Sequence, residues 1–389
     1  MTLHRPDRVR TRLVGLALAL VAGVSGCASA AAPDRGSTTS LGPQSTPTRT
    51  TPTATPTAEA DERALEPAGN LVPVVEKLDA PWSITVLDDD SILLSFRDTA
   101  EFGEIVDGRS RVIGSFADAE PAGEGGLLGI TVATEGEREY LYAYATTATD
   151  NRVVRMPLKG RAGERTLGPP EEILTGIPQA SNHDGGRIKV GPDGMLYVTT
   201  GDAGDTSAAQ DPASLGGKIL RVTLAGGVPE DNPVPGSPVW SMGHRNPQGI
   251  AWADDGTMWA AEFGQDTWDE LNVIVPGGNY GWPMHEGIAG ADGFVDPVQQ
   301  WDTDDASPSG IAILGATVFM AALGGERLWT VGFEGEARDW FGGGELGRLR
   351  DVVVGPGDSL YLITNNTDGR GDPGARDDVL YRVPLEPAR

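Results

Sequence analysis

Cysteine is nearly missing from this chain. Cys27 is the only one in 389 residues, which excludes an intramolecular disulfide and leaves any metal to oxygen and nitrogen ligands. Positive charge is scarce too: 30 lysines and arginines stand against 56 aspartates and glutamates, a formal charge of −26. Nucleic acid and anionic lipid surfaces are therefore poor partners for the body of the protein, while cations and neutral ligands suit it. There is no Walker loop, no Gly-x-Ser-x-Gly elbow and no His-Glu-x-x-His. Gly-x-Gly-x-x-Gly spacing occurs from Gly342 to Gly347 and from Gly369 to Gly374, but neither stretch follows a strand and opens a helix. Both read as glycine-rich loops. Helix-length apolar stripes are few, and the run from Leu13 to Val24 is too short to suit a spanning helix.

That run belongs to an address. Arg5, Arg8, Arg10 and Arg12 precede it, and Val24-Ser25-Gly26-Cys27 follows it. Small residues leading into the sole cysteine resemble a bacterial lipobox, so residues 1–26 are expected to be a lipoprotein signal and Cys27 the acylated first residue of a protein held outside the cytoplasmic membrane. Residues 27–70 are rich in Ala, Ser, Thr and Pro, with Thr46-Pro47, Thr51-Pro52 and Thr55-Pro56 repeating. They read as an extended tether that buries too little apolar area to fold. The folded domain is expected from residue 71 to 389.

With 54 glycines and 29 prolines, that domain reads as turn-rich β structure. One pattern recurs: a short apolar strand, an Asp/Gly turn, a second apolar strand, then a variable stretch. First strands begin at Pro81, Gly126, Gly186, Pro247, Pro308 and Leu349. Second strands run from Ser91 to Phe96, Tyr140 to Ala145, Met195 to Thr200, Thr257 to Ala261, Thr317 to Ala321 and Ser359 to Thr364. Six units of about four strands arranged radially predict an all-β, six-bladed propeller, and the repeat spacing favours this over a pair of β-sandwiches.

In a propeller, equivalent loops of every blade converge on one end of the central channel. His183 precedes the third unit's first strand, Arg245-Asn246 precede the fourth's, and Arg348 and Arg350 flank the start of the sixth. These positions predict one shared basin. The hairpin from Arg187 to Thr200, turning at Gly191-Pro192-Asp193-Gly194, brings its outer ends together, so His183 and Asp202 become candidates for a base and its orienting carboxylate. Arg245, Arg348 and Arg350 would make a positive basin for a small polyanion, unless they serve as structural partners of nearby acids such as Asp351. The stretch from Ala261 to Asn272, continuing to Pro283, combines carboxylates, loop carbonyls and no thiol, which suits Ca²⁺ or a solvated acidic turn. His244 and His285 read as structural or rim residues. Specificity is expected in the loops from Asp202 to Asp211 and from His285 to Gln300.

The strings Glu124-Gly125-Gly126-Leu127-Leu128-Gly129, His183-Asp184-Gly185-Gly186-Arg187, Gly201-Asp202, Gly243-His244-Arg245-Asn246-Pro247-Gln248-Gly249, Asp269-Glu270-Leu271-Asn272 and Gly278-Asn279-Tyr280-Gly281-Trp282-Pro283 resemble, in order, the soluble quinoprotein aldose (glucose/sorbosone) dehydrogenases. The resemblance implies a propeller that binds pyrroloquinoline quinone and Ca²⁺ and oxidises a sugar to its lactone, passing electrons to an acceptor the sequence does not identify. It makes His183 the base, Asp202 its partner and Arg245 the group facing the reduced quinone oxygen. It assigns Asn246, Arg348 and Arg350 to the cofactor, with Trp301 as a stacking candidate. Backbone carbonyls of Gly264 and Gln265 are implied as Ca²⁺ ligands, with Asp269, Glu270 and Tyr280 as further metal candidates. A family lysine is expected near Val331-Gly332-Phe333-Glu334, and the acid found there predicts weakened cofactor binding. Two other readings stay open: a non-catalytic propeller that binds envelope glycan or protein, and a calcium-dependent lactone or ester hydrolase.

Overall fold

Proline, glycine and paired Asp-Gly turns cut the chain into short strands, and in the computed structural model, which describes residues 62–389, these form six antiparallel sheets. Blade one holds Pro81–Val86, Ile92–Phe96, Glu101–Val106 and Arg109–Ser115. Blade two holds Leu127–Glu135, Arg138–Thr146 and Asn151–Lys159, edged by Thr166–Leu167 and Glu171–Ile177. Blade three runs through Ile188–Val190, Leu196–Thr200, Lys218–Val222 and Val239–Met242. Blade four takes Pro247–Trp252, Met258–Glu262, Trp268–Ile274 and Gln299–Asp302, and blade five Pro308–Leu314, Thr317–Ala322, Arg327–Gly332 and Ala337–Trp340. The only helical element among the described residues is the short turn Thr206–Ala209, and none of their helices could cross a membrane.

Blade six closes the ring. Leu349–Val354, Ser359–Thr364 and Leu380–Pro387 are joined by two strands from the other end of the described chain, Leu65–Pro67 and Val72–Val75. Leu65 pairs with Pro387, and Val72 with Arg382. The expected boundary at residue 70 is corrected by this pairing: an apolar Leu65, 1% exposed, fills the core between blades five and six. Leu65→Ala is accordingly expected to lower the unfolding free energy by about 2–5 kcal/mol, read from a urea titration. A tether residue would leave the midpoint unmoved. The signal, Cys27 and most of the tether fall outside the described residues.

First strands of neighbouring blades pack side by side around the axis, so both faces of each sheet are covered and the strands read as near-continuous apolar runs. Backbones approach closely there: a Cβ on Gly249 would lie 2.3 Å from the Ser309 oxygen of the next blade. The outermost strands, such as Arg109–Ser115 and Ala337–Trp340, face water and carry no apolar run, which is why the sequence pattern did not reveal them.

A buried ion pair spans the axis. Arg187 Nη1 of blade three donates to Asp351 Oδ2 of blade six at 2.8 Å, and to Ser83 Oγ of blade one at 3.1 Å. Its Nε donates to the Gln248 carbonyl of blade four, and its guanidinium lies 4.2 Å from the centre of the Trp82 ring. Asp351 is thus engaged by Arg187, and it is not the partner of Arg348 or Arg350.

Because strands alternate in direction, two sets of loops reach the same end of the ring: those entering each first strand and those leaving each second strand. The chain enters at Arg63 and ends at Arg389 on the opposite end, where Ala388 N–H donates to the Ala64 carbonyl at 2.8 Å.

Candidate active site

At the shared end lies a cavity of about 290 Å³. The loops entering first strands supply Glu124, His183, Arg245, Asn246, Ser307 and Arg348 to its wall, the first strand of blade six supplies Arg350, and the loops leaving second strands supply Arg97, Phe263, Gly264, Gln265, Leu323 and Arg370. Five arginines face two carboxylates, Glu124 and Asp269. In a protein of net charge −26 that local excess is built, not inherited.

His183 sits in the wall with a left-handed backbone, φ 60°. Glu124 Oε2 accepts its backbone N–H at 2.9 Å, and Gly201 leaves room for its carbonyl: a Cβ there would lie 1.8 Å from the His183 oxygen. Strained backbone at a chemical group is held by surrounding contacts of this kind. His183 Nδ1 lies 2.7 Å from Asp202 Oδ1, which leaves Nε2 as the ring nitrogen without that partner. Asp202 is fully buried and also accepts from Gly204 N–H and from Trp282 Nε1, both at 2.8 Å. Burial pushes its pKa up, but hydrogen bonds from His183, Gly204 and Trp282 outweigh that and hold it below the ordinary carboxylate range.

Arg245 reaches the cavity beside Trp282, its guanidinium 5.5 Å from the ring centre and its Nη1 3.4 Å from the Phe263 carbonyl. Its buried Nε has no partner among the described residues, and neither has the Nε of Arg348. Asn246 Oδ1 accepts from Gly185 N–H at 3.0 Å, and its amide reaches Glu124. Arg350 donates to Asn365 Oδ1 and Gln248 Oε1, both at 2.9 Å. Burial pushes its pKa down to about 9.

Not every candidate gathers here. Gly264, Gln265 and Asp269 line the cavity, but Glu270, next along the strand, points to the other face. There its oxygens accept from Gly287 N–H at 2.6 Å and from Asn272 at 3.1 Å, and burial beside Glu262 raises its pKa. Tyr280 stacks on His244 at 4.6 Å, and its hydroxyl donates to the Val273 carbonyl and accepts from Val275 N–H. Neither is placed as a ligand in the cavity. Trp301 packs in the core against Trp329 and is absent from the wall, where the aromatic floor is Trp82. Glu334 lies in the turn between Arg327–Gly332 and Ala337–Trp340, at the opposite end of the ring, in a groove with Ala316 and Phe333. Its charge does not confront a ligand in the cavity, and blade five presents Leu323 there instead.

Arg97, Arg370 and Trp82 were not singled out from the sequence. The signal for two of them was available: they stand in loops leaving second strands, which reach the same end as the loops entering first strands. The second glycine-rich stretch, from Gly369, carries Arg370 into the wall.

Three carboxylates at the site are held below their ordinary pKa: Asp202, Glu124 and Asp368. In each, burial opposes the shift and hydrogen bonds or cations outweigh it. Lowered values mean that their contribution to stability is complete above the unfolded pKa and lost as pH falls through the folded one. The unfolding midpoint of the apoprotein is expected to begin falling below about pH 4 as these groups protonate, and differential scanning calorimetry across pH checks it.

At the hub of six blades the His183–Asp202 pair thus stands beside five arginines. Residues 78–381 match the family described as Glucose / Sorbosone dehydrogenase, and the chain belongs to that family. It is 28% identical over 345 residues to the aldose sugar dehydrogenase YliI of Escherichia coli, covering 77% of this chain and 91% of that protein. To quinoprotein glucose dehydrogenase B of Acinetobacter calcoaceticus it is 32% identical over 204 residues, and the match spans 43% of that relative's length. Among solved structures, the PQQ-bound aldose sugar dehydrogenase of Streptomyces coelicolor superposes with a TM-score of 0.79 at 46% identity, covering 85% of this chain and all of that one.

Proposed function

We propose that the protein oxidises the C1 hydroxyl of aldoses to the lactone, using pyrroloquinoline quinone and Ca²⁺, outside the cytoplasmic membrane on a lipid anchor at Cys27. The observation that carries this reading is the His183–Asp202 pair set in an arginine-lined cavity. The cavity suits the cofactor chemically: a tricarboxylate needs cationic donors, and the buried Nε atoms of Arg245 and Arg348 are donors without partners among the described residues. Asn246, Arg348 and Arg350 would hold the quinone, with Arg97 added to the set. No group of three or more His, Cys, Asp or Glu among the described residues could hold a metal by side chains alone. Calcium would therefore draw on main-chain oxygens at Gly264 and Gln265, with Asp269 nearby.

When bound, the quinone supplies the two-electron acceptor for the hydride that leaves C1. His183 Nε2 takes the proton of the C1 hydroxyl, so that the alkoxide character needed for hydride loss builds up only in the site. Asp202 keeps the Nδ1 proton in place, which leaves Nε2 as the basic nitrogen, and its charge stabilises the imidazolium. Arg245 presents donors to negative charge developing in the cavity, in a setting where burial strengthens the interaction.

Purified protein given quinone and Ca²⁺ is expected to reduce an artificial dye with an aldose, and a chelator is expected to abolish the activity until Ca²⁺ is returned. Cofactor binding without turnover across a broad aldose panel would sink the enzymatic reading and favour a glycan-binding propeller. Lipid attachment is expected to appear as a diacylglycerol mass on Cys27.

A further inference from the structure

Beneath the cavity, the loop leaving the second strand of blade six reads Asn365-Asn366-Thr367-Asp368, and each side chain in it has a partner in the wall or its support. Asn365 accepts from Arg350, Asn366 accepts the Arg348 backbone N–H at 2.8 Å, and Thr367 accepts the Ala80 N–H at 2.8 Å. The fourth is a hub. Asp368 Oδ2 lies 3.3 Å from Arg348 Nη2, 3.6 Å from Arg350 Nη2 and 4.0 Å from Arg97 Nη1, while Oδ1 accepts the Arg370 N–H at 2.9 Å. Its side chain has no exposure, and its carbonyl accepts from Arg97 Nη2 at 3.1 Å. The loop is anchored from behind by buried Asp378, which accepts from Thr364, from the backbone N–H groups of Asn366 and Thr367, and from the Thr367 hydroxyl.

We propose that Asp368 is a positioning residue that draws Arg97, Arg348 and Arg350 together into the anion seat for the cofactor's carboxylates. Three guanidiniums this close repel one another, most strongly where water is excluded, and one carboxylate at their centre holds them without neutralising them. Arg97 is also held by Asp98, its Nε donating to Oδ1 at 2.6 Å, so two carboxylates stand against three guanidiniums and one positive charge remains in surplus for a ligand. All three contacts fall on Oδ2, and the buried Nε of Arg348 remains unpaired among the described residues. Asp368 therefore gathers the cations while leaving donors to spare. This inference rests on the cavity being the quinone's seat, and it goes further by assigning the geometry of that seat to a carboxylate that never touches the sugar.

The test is calorimetric titration of Ca²⁺-loaded apoprotein with the quinone, for the unaltered protein, Asp368→Asn, Arg97→Gln and the double variant. Heat of binding to the unaltered protein establishes the seat, and its absence overturns the functional reading, not this step alone. Given that binding, each single variant is expected to weaken it about tenfold or more, the worth of a charge-assisted contact. The double variant is expected to be no weaker than Asp368→Asn alone within about threefold, because both changes remove the same support. In turnover assays, the larger share of the loss is expected in the quinone concentration giving half-maximal rate, not in kcat, a split that general destabilisation would not produce. Asp368→Asn binding as tightly as the unaltered protein, or tighter, overturns the proposal and makes the carboxylate a competitor of the ligand. Should Asp368→Asn not yield folded protein, Arg97→Gln decides by the same criterion, and unchanged affinity there overturns it.

Discussion

His183→Ala is expected to lower kcat by about 10²–10⁴-fold, the usual worth of a positioned general base. The variant should still fold and still bind the quinone. Its side chain touches the cavity and Asp202 but fills no core, and the contacts that set the loop are made by its backbone: the N–H to Glu124 and the carbonyl packed over Gly201. Steady-state kinetics alongside cofactor titration separate the two outcomes. A fall in kcat with unchanged cofactor affinity supports the role of base. Turnover within about threefold of the unaltered protein would remove His183 from the chemistry.

Asp202→Asn is expected to cost nearly as much, for a reason set by hydrogen-bond polarity. Both carboxylate oxygens accept: Oδ1 from His183 and Gly204 N–H, Oδ2 from Trp282 Nε1. An asparagine amide must place its NH₂ at one of the two positions. Toward His183, it forces Nδ1 to become the acceptor and moves the ring proton to Nε2, which leaves no base facing the cavity. Toward Trp282, it sets donor against donor in a buried place, costing about 1–3 kcal/mol. Either arrangement lowers kcat, by about 10²-fold or more. The pH–rate profile is the sharper readout. Loss of the carboxylate's charge should shift the acidic limb of the profile, which a general base governs, toward lower pH, while a purely structural defect would scale the profile without moving it.

The first strands were legible because most of their residues are buried and apolar, as in Pro81–Val86 and Pro308–Leu314. His183, Arg245, Arg348 and Arg350 were legible because they stand at corresponding steps of separate repeats, the third, fourth and sixth. The rest hid for reasons that follow from geometry. Outer strands such as Gln299–Asp302 are held by backbone pairing and carry little apolar signature. Asp368 and Arg97 lie in loops of a second register, whose convergence with the first depends on strand direction more than on motif. Trp301 and Glu334 were placed at the site by resemblance alone, but one faces the core and the other turns at the opposite end of the ring. Glu270 shows the finest grain: one residue beyond Asp269, strand alternation turns its side chain away from the cavity.

The stitching of the first described strands to the last has a practical corollary. Ala64 and Ala388 meet on the face of the ring opposite the cavity, so a bead, an electrode or a fusion partner attached after Arg389 faces the blind side. Immobilised copies would stand with their mouths toward the liquid, and substrate would reach them as freely as it does in solution.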